Sequence, residues 1–364
     1  MIKNLLLLIA SMLLGFLLLE AGIRIKSYWD AYDESTAFRE LENHNAKIDT
    51  TKNASLRDLV RHSNSSGIIY ELKPNLCTRF KDEVVRTNQY GFRGPGYSMA
   101  KPDNTIRILG LGDSVMFGWG VKDNESVLSL ISVYLNRRYP NYNWETINTA
   151  VPGYNTAMQI ATLQHKGIFF DPDLVIVSYL PNDLRLPNFL YTPPDYFGIH
   201  KSYLADFVSS RFQSNHAKKT PLLAATPAEW VHRNTSLKNA DRIPDAFKYM
   251  VGYTGYANAM RKLKEIQNKQ GFESVVFAVE YTEKIRSILA DTGISFCDAA
   301  PVVHRYMQDK NIANYRQSII VLNKSDPHPS AIGHQLLADA IISYLEGNGI
   351  LKKVIEAHEA SASD

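Results

Sequence analysis

The sequence predicts an α/β fold: a parallel sheet with helices packed on both of its faces. Three observations carry this. From Thr105 onward, apolar runs of strand length alternate with stretches patterned at helical spacing. Ile106–Leu111 and Leu174–Tyr179 read as buried strands. Polar and glycine-containing segments follow the strand-like runs, at the carboxyl ends where ligands of such sheets bind.

The elements follow in order. Leu5 to Leu19 is apolar, Leu-rich and free of charge. That length suits a signal-peptide core and is short for a membrane span, which needs about 20 residues. A span could extend through Ile23 if Glu20 snorkels to the interface. No small-x-small pair follows the run, which favours an uncleaved anchor over a cleaved signal, and Leu on every face argues against a buried core helix. Residues 1–26 are therefore expected to be an anchor or signal segment, with the rest of the chain exported. Lys3 on one side and Arg24 and Lys26 on the other leave orientation undecided by charge alone.

Residues 27–100 read as a linker followed by a small β segment, with a polar stalk of short helices over 24–66. Ile68–Asn75 and Val84–Gly94 look like short strands ended by turns. After Ser114, Asp123-Asn124 is expected to cap a helix that buries Val127, Leu128, Ile131 and Leu135. Trp144–Ile147 is the next strand, Ala157–Lys166 a helix, and Tyr256–Gln270 a helix closed by Gly271. Ser274–Val279 and Ile294–Cys297 are further strands. Ser330 caps a last helix with Leu336, Leu337, Ile341 and Leu345 as its buried stripe. The alternating region spans 101–350, interrupted by an insertion at about 184–250, and 351–364 is a tail. The insertion carries Pro193, Pro194, Pro221, Pro227 and Pro244 and aromatics from Tyr191 to Trp230, which suit either a lid or a packed appendage.

A net charge of +3 over 364 residues, with Lys and Arg dispersed, disfavours nucleic-acid binding. Two cysteines, Cys77 and Cys297, exclude a disulfide scaffold and are expected as free thiols. His165, His200, His216, His232 and His304 show no ligand spacing, and no phosphate loop of the G-x-x-x-x-G-K-[ST] type occurs, so neither a catalytic metal nor another cofactor is expected.

Two separated stretches carry the chemistry: Gly112-Asp113-Ser114, ending a strand, and Asp326-Pro327-His328, on a late loop. A serine hydroxyl is a poor nucleophile until a base near neutral pKa takes its proton, and an Asp two residues before a His can orient that base. Between them lie Asn148-Thr149-Ala150-Val151-Pro152-Gly153-Tyr154 and Leu180-Pro181-Asn182-Asp183. The ordered set Ser, Gly, Asn, His over about Thr105–Gly347 resembles the SGNH (GDSL-type) hydrolase family. Asp326-Pro327-His328-Pro329 fits the family's Asp-x-His-Pro pattern, whereas Leu180 stands where the family usually has Gly.

The resemblance implies a flavodoxin-like, doubly wound sheet. It implies Ser114 as nucleophile, His328 as general base and Asp326 as the orienting carboxylate. The backbone N–H groups of Ser114 and Gly153 and the Asn182 amide would form the oxyanion hole. His334 is expected to be structural, and Asp113 and Asp183 to fix their own loops. The small β segment is similar to one preceding the catalytic domain in membrane-anchored members, with no catalytic role implied. The expected function is a serine esterase or deacylase acting on an acylated glycan or lipid, O-acetyl esters included, through an acyl-enzyme, tethered to a membrane outside the cytoplasm. An O-acyltransferase using the same triad, or a non-catalytic binding module, is the alternative.

Overall fold

A helix from Ile2 to Asn43 opens the chain. The computed structural model describes residues 2–43, 53–190, 202–205, 208, 224–225, 243 and 245–361. Lys3–Lys26 has a mean hydropathy of 2.4 and none of it is buried. At 1.5 Å per residue its 24 residues reach roughly 36 Å, enough to cross a hydrocarbon layer of about 30 Å. The expected stalk of short helices is instead one continuation of this helix as far as Asn43. No Gly or Pro lies between Ile23 and Asn43 to stop it. Most of the insertion, with Tyr191, Tyr196, Phe197, Phe207, Phe212 and Trp230, lies outside the described residues.

Residues 1–48 and 191–224 form one compact unit, and 49–190 with 225–364 form another. Within the first, the Glu20 carboxylate accepts Arg24 Nε at 2.7 Å and Ser202 Oγ at 3.0 Å. It also accepts the backbone N–H groups of Tyr203 and Leu204 at 2.8 and 2.7 Å.

All the strands but Ala224–Ala225 lie in the second unit. In chain order the strands are β1 (Val60–His62), β2 (Tyr70–Leu72), β3 (Cys77–Phe80), β4 (Glu83–Arg86), β5 (Thr105–Leu111), β6 (Asn143–Asn148) and β7 (Leu174–Ser178). The two-residue strands β8 (Phe189–Leu190) and β9 (Ala224–Ala225) come next. Then follow β10 (Glu273–Ala278), β11 (Ser295–Asp298), β12 (Val321–Asn323) and β13 (Asp326–Pro329). The central sheet runs β11-β10-β7-β5-β6 with every pairing parallel. Numbered along the sheet's own strands this is 2-1-3-4-5, the flavodoxin-like doubly wound order.

β5, β7 and β10 bury both faces, so their runs are apolar rather than alternating. On one face Leu109, Leu111, Val175, Val177 and Val276 meet the helices Thr156–His165, Gly252–Gln270 and Glu283–Thr292. On the other, Gly110 touches Leu128 of helix Val127–Arg138, and the Cys297 thiol lies against Ala340 of helix Ala331–Gly347. Cys77 and Cys297 are both free.

Several local expectations shift. Asp123–Glu125 is a short 3-10 turn, and Ser126 is the residue before helix Val127–Arg138. β1 and β3 were not anticipated; each is a short strand closed by pairing with β2 or β4. Asp326–Pro329 is not an open loop but the second strand of a hairpin with β12. The expected tail is a helix, Ile350–Ser361, because Ile350, Leu351 and Val354 fall on one face and are buried.

Candidate active site

β5 ends at Leu111, and the chain turns through Gly112 and Asp113 into a short helix that begins at Ser114. A Cβ on Gly112 would stand 2.2 Å from Ser178 Oγ and 2.4 Å from Met116 Cβ, so only glycine lets the turn press against β7. The Asp113 carboxylate caps the short helix by accepting Val115 N–H at 3.1 Å. Ser114 is left 7% exposed above the carboxyl ends of the strands. β5 has β6 on one side and β7 on the other, so Ser114 stands at the point where the strand order reverses.

The hairpin β12–β13 brings the late segment to it. Ser114 Oγ and His328 Nε2 are 2.9 Å apart, and His328 Nδ1 and Asp326 Oδ1 are 2.5 Å apart. Three residues separated by more than 200 positions form one hydrogen-bonded line. A neutral imidazole donating Nδ1–H to Asp326 accepts the serine proton at Nε2. Asp326 is also held at its other oxygen: Trp119 Nε1–H donates to Oδ2 at 3.0 Å and Lys81 Nζ lies 3.4 Å from it. Partial burial opposes ionisation of Asp326. The bonds from His328 and Trp119 and the charges of His328 and Lys81 outweigh it and hold the carboxyl down at about 2.

Asn182 lies on a 3-10 turn after β7, and its Nδ2 donates to Asp113 Oδ2 at 2.8 Å. That bond uses one amide proton and leaves the second for another acceptor. Burial raises the pKa of Asp113, opposed by the bonds from Asn182 and Val115. Asp183 is fully buried, where desolvation and the Asp113 charge push its carboxyl well up, and it accepts Leu180 N–H and Gln159 Nε2 at 2.9 Å each. Both aspartates thus hold their own loops.

Gly153 follows β6 at φ +80°, and a Cβ there would stand 2.3 Å from the Asn188 side chain. The loop is drawn along the end of β5 by Thr149 N–H to Gly110 O at 3.0 Å and Val151 N–H to Gly112 O at 3.3 Å. His334 sits inside helix Ala331–Gly347, fully buried, and neither ring nitrogen has a hydrogen-bond partner among the described residues. Burial, then the charges of Arg93 and His328, hold it down to about 3.

Three residues escaped the sequence reading: Trp119, Lys81 and Arg93. Arg93 is 3% exposed, and its guanidinium donates to the carbonyls of Phe117, Gly118 and Val121 and to Asp123 Oδ1 at 2.6 Å. Both Arg93 and Lys81 come from the small β segment, which therefore touches the site. Only Trp119 carried a signal: a bulky aromatic between two glycines, five residues after the serine. Beside it opens a cavity of about 510 Å³ lined by Asn53, Leu56, Phe80, Lys81, Asp82 and Trp119. Among the described residues no three His, Cys, Asp or Glu side chains group as a metal site requires.

No family model matches the chain, and no curated protein matches it either. Among solved structures it is similar to LAE5, an alpha/beta hydrolase enzyme from the metagenome of Lake Arreo, Spain. The identity is 14% and the TM-score 0.41, over 66% of this chain and 94% of that one. A mutant of Axe2, an acetyl-xylooligosaccharide esterase from Geobacillus, matches at 15% identity and TM-score 0.40, covering 66% and 94%. TesA matches at 10% and 0.40, covering 66% and 98%. At such values the chemistry has to be read from the chain's own residues.

Proposed function

We propose that the chain is a serine ester hydrolase with Ser114 as nucleophile, His328 as general base and Asp326 as the carboxylate that orients it. The observation that carries this reading is the unbroken line Ser114 Oγ, His328 Nε2, His328 Nδ1, Asp326 Oδ1, with contacts of 2.9 and 2.5 Å. As Oγ attacks the ester carbonyl, Nε2 takes its proton, and the imidazolium is stabilised by an Asp326 that stays ionised. The oxygen that becomes negative would be received by the N–H groups of Ser114 and Gly153 and by the second Asn182 amide proton. Each such donor is worth roughly 10²–10³ in rate. Collapse breaks the ester C–O bond, His328 protonates the departing alcohol, and water then opens the acyl-enzyme by the same steps in reverse order.

The substrate in this reading is an acylated glycan or lipid, with O-acetyl esters among its candidates, reached by a catalytic unit that helix Lys3–Lys26 ties to a bilayer on its non-cytoplasmic side. An alcohol in place of water at the second step would make the same site an O-acyltransferase. The test is fluorophosphonate labelling and p-nitrophenyl acetate hydrolysis by the full-length protein, wild type against Ser114→Ala. Labelling and activity are expected only in the wild type. More than about a tenth of wild-type activity in the variant would refute the nucleophile, since its loss normally costs far more. A wild type that neither labels nor hydrolyses would favour a non-catalytic binding module. Carbonate-washed membranes and protease access in spheroplasts test the tether and the side.

A further inference from the structure

Asp326 Oδ1 and Ser114 Oγ take the two ring nitrogens of His328, but both bonds lie near the imidazole plane. Neither opposes tilting of the ring about the line that joins them. A ring free to tilt swings Nε2 away from the serine, and misplacement of that kind is costly to rate. The ring's face is held by Trp119, whose indole stacks on it with centroids 4.7 Å apart and planes 17° apart. The same indole donates to Asp326 Oδ2 at 3.0 Å, and the Lys81 ammonium sits 4.7 Å from its ring centre and 3.4 Å from that oxygen.

We propose that Trp119 and Lys81 are positioning residues for the base: Trp119 fixes the plane of His328 and the rotation of Asp326. Lys81 sets the charge around that carboxylate, and with it the position of the acid limb of activity. This deepens the serine-hydrolase reading and rests on it. Two features of the chain favour it over simple packing. Lys81 and Asp82 form the turn of hairpin β3–β4 at φ +52° and +67°, positions where Gly or Asn strains the backbone less. That turn is pinned by Asn53, which donates to Asp82 Oδ1 at 2.8 Å and accepts Asp82 N–H at 2.9 Å. Trp119 lies between Gly118 and Gly120, at φ +88° and +71°, on a loop whose carbonyls Arg93 holds.

The titratable groups around His328 are Asp326, the buried Asp113 beside Ser114, and His334, which also feels Arg93; Lys81 lies against Asp326. Lys81 is the exposed cation of this set, with 43% of its side chain accessible. Its charge weakens the pull of Asp326 on an imidazolium, so removing it favours the protonated base.

The experiment compares Trp119→Phe, Trp119→Leu, Lys81→Met and Lys81→Arg in the full-length protein, by p-nitrophenyl acetate kinetics against pH. Trp119→Phe keeps the stacking face and loses the donor; kcat is expected to fall about tenfold with KM little changed, and Trp119→Leu to fall about a hundredfold. Lys81→Met is expected to move the acid limb of the profile up by about half a pH unit, less at high salt, with Lys81→Arg restoring it. The low-field NMR resonance of the His328 Nδ1 proton needs no substrate; it is expected to broaden or vanish in Trp119→Leu and persist in Trp119→Phe. Should Trp119→Leu fail to fold, Trp119→Phe and the two Lys81 variants decide. An unchanged kcat in Trp119→Phe, or an acid limb that Lys81→Met leaves in place, overturns the assignment of that residue. A wild type that shows the low-field resonance but neither hydrolysis nor probe labelling would sink the hydrolase reading instead, leaving the positioning geometry intact.

Discussion

Replacing His334 with leucine should make the protein less sensitive to mild acid. In the fold His334 stays neutral down to about 3, first because burial penalises its charged form and then because Arg93 and His328 repel it. Released into solvent, an imidazole takes a proton near 6.5. Between those values the unfolded chain binds the extra proton, so stability is full above about pH 6.5 and is lost as pH falls toward 3. At pH 5 the loss is about 1.5 units at roughly 1.4 kcal/mol each, or about 2 kcal/mol relative to pH 7.5. For a unit of this size that corresponds to a fall in Tm of about 4 °C. His62, whose pKa burial lowers against the pull of Glu71, adds a smaller slope of the same sign, and the raised carboxyls of Asp113 and Asp183 act oppositely. All three remain in the variant and cancel when its pH dependence is subtracted from the wild type's. Asp326 loses its contribution only below about pH 4, outside the window. Leucine also removes a ring whose two nitrogens lack partners among the described residues, so stability at pH 7.5 should be unchanged or higher. The assay is thermal unfolding of the full-length, detergent-solubilised protein at pH 7.5 and pH 5. A variant that loses as much Tm as the wild type between the two would refute the reasoning.

Asn182→Ala should lower kcat by roughly 10²-fold with a modest change in KM if, as proposed, its second amide proton meets charge that develops during the reaction. Steady-state kinetics on a small ester reads both constants. Arg93→Lys should cost about 3 kcal/mol of stability by urea unfolding and also lower kcat, since an ammonium cannot reach three carbonyls and a carboxylate at once. Cys77, exposed, should react with an aromatic disulfide reagent in the native protein. Cys297, whose thiol burial and then the Asp298 charge push up to about 12, should react only after unfolding, so a count of two fast thiols would contradict its placement.

The sheet was legible because strands buried on two faces must be apolar along their length, and because nothing else forces β5, β7 and β10 into such runs. That Ser114, His328 and Asp326 come together was legible because the pairing of a serine with a histidine and its carboxylate restricts residue type tightly at those positions. Lys81, Trp119 and Arg93 were not. A lysine in a hairpin turn and an arginine at a strand end read as solvated charges, and only long-range packing brings them to Asp326 and to the Phe117–Val121 loop. The last strand was misread for a related reason: Asp326-Pro327-His328-Pro329 carries two prolines, and it pairs only as the edge of a two-stranded hairpin.

Two buried guanidiniums show how such placements are enforced. Arg107, fully buried on β5, donates to Glu145 at 2.9 Å, to the carbonyls of Met99 and Phe170 at 3.0 and 2.9 Å, and to that of Ser98 at 2.7 Å. Arg93 does the same for the loop after Ser114. A buried ion pair returns little net stability once desolvation is counted, so stability alone does not account for either residue. What each one does fix is a path: a loop whose carbonyls must all face one planar fork has few alternative conformations. In Arg93 the fork belongs to the segment before the alternating strands and helices, and the loop it fixes carries Trp119. On the proposed reading, the geometry around His328 is therefore set from outside the four motifs. A chain cut back to its alternating region would keep Ser114, His328 and Asp326 and lose what holds them in line.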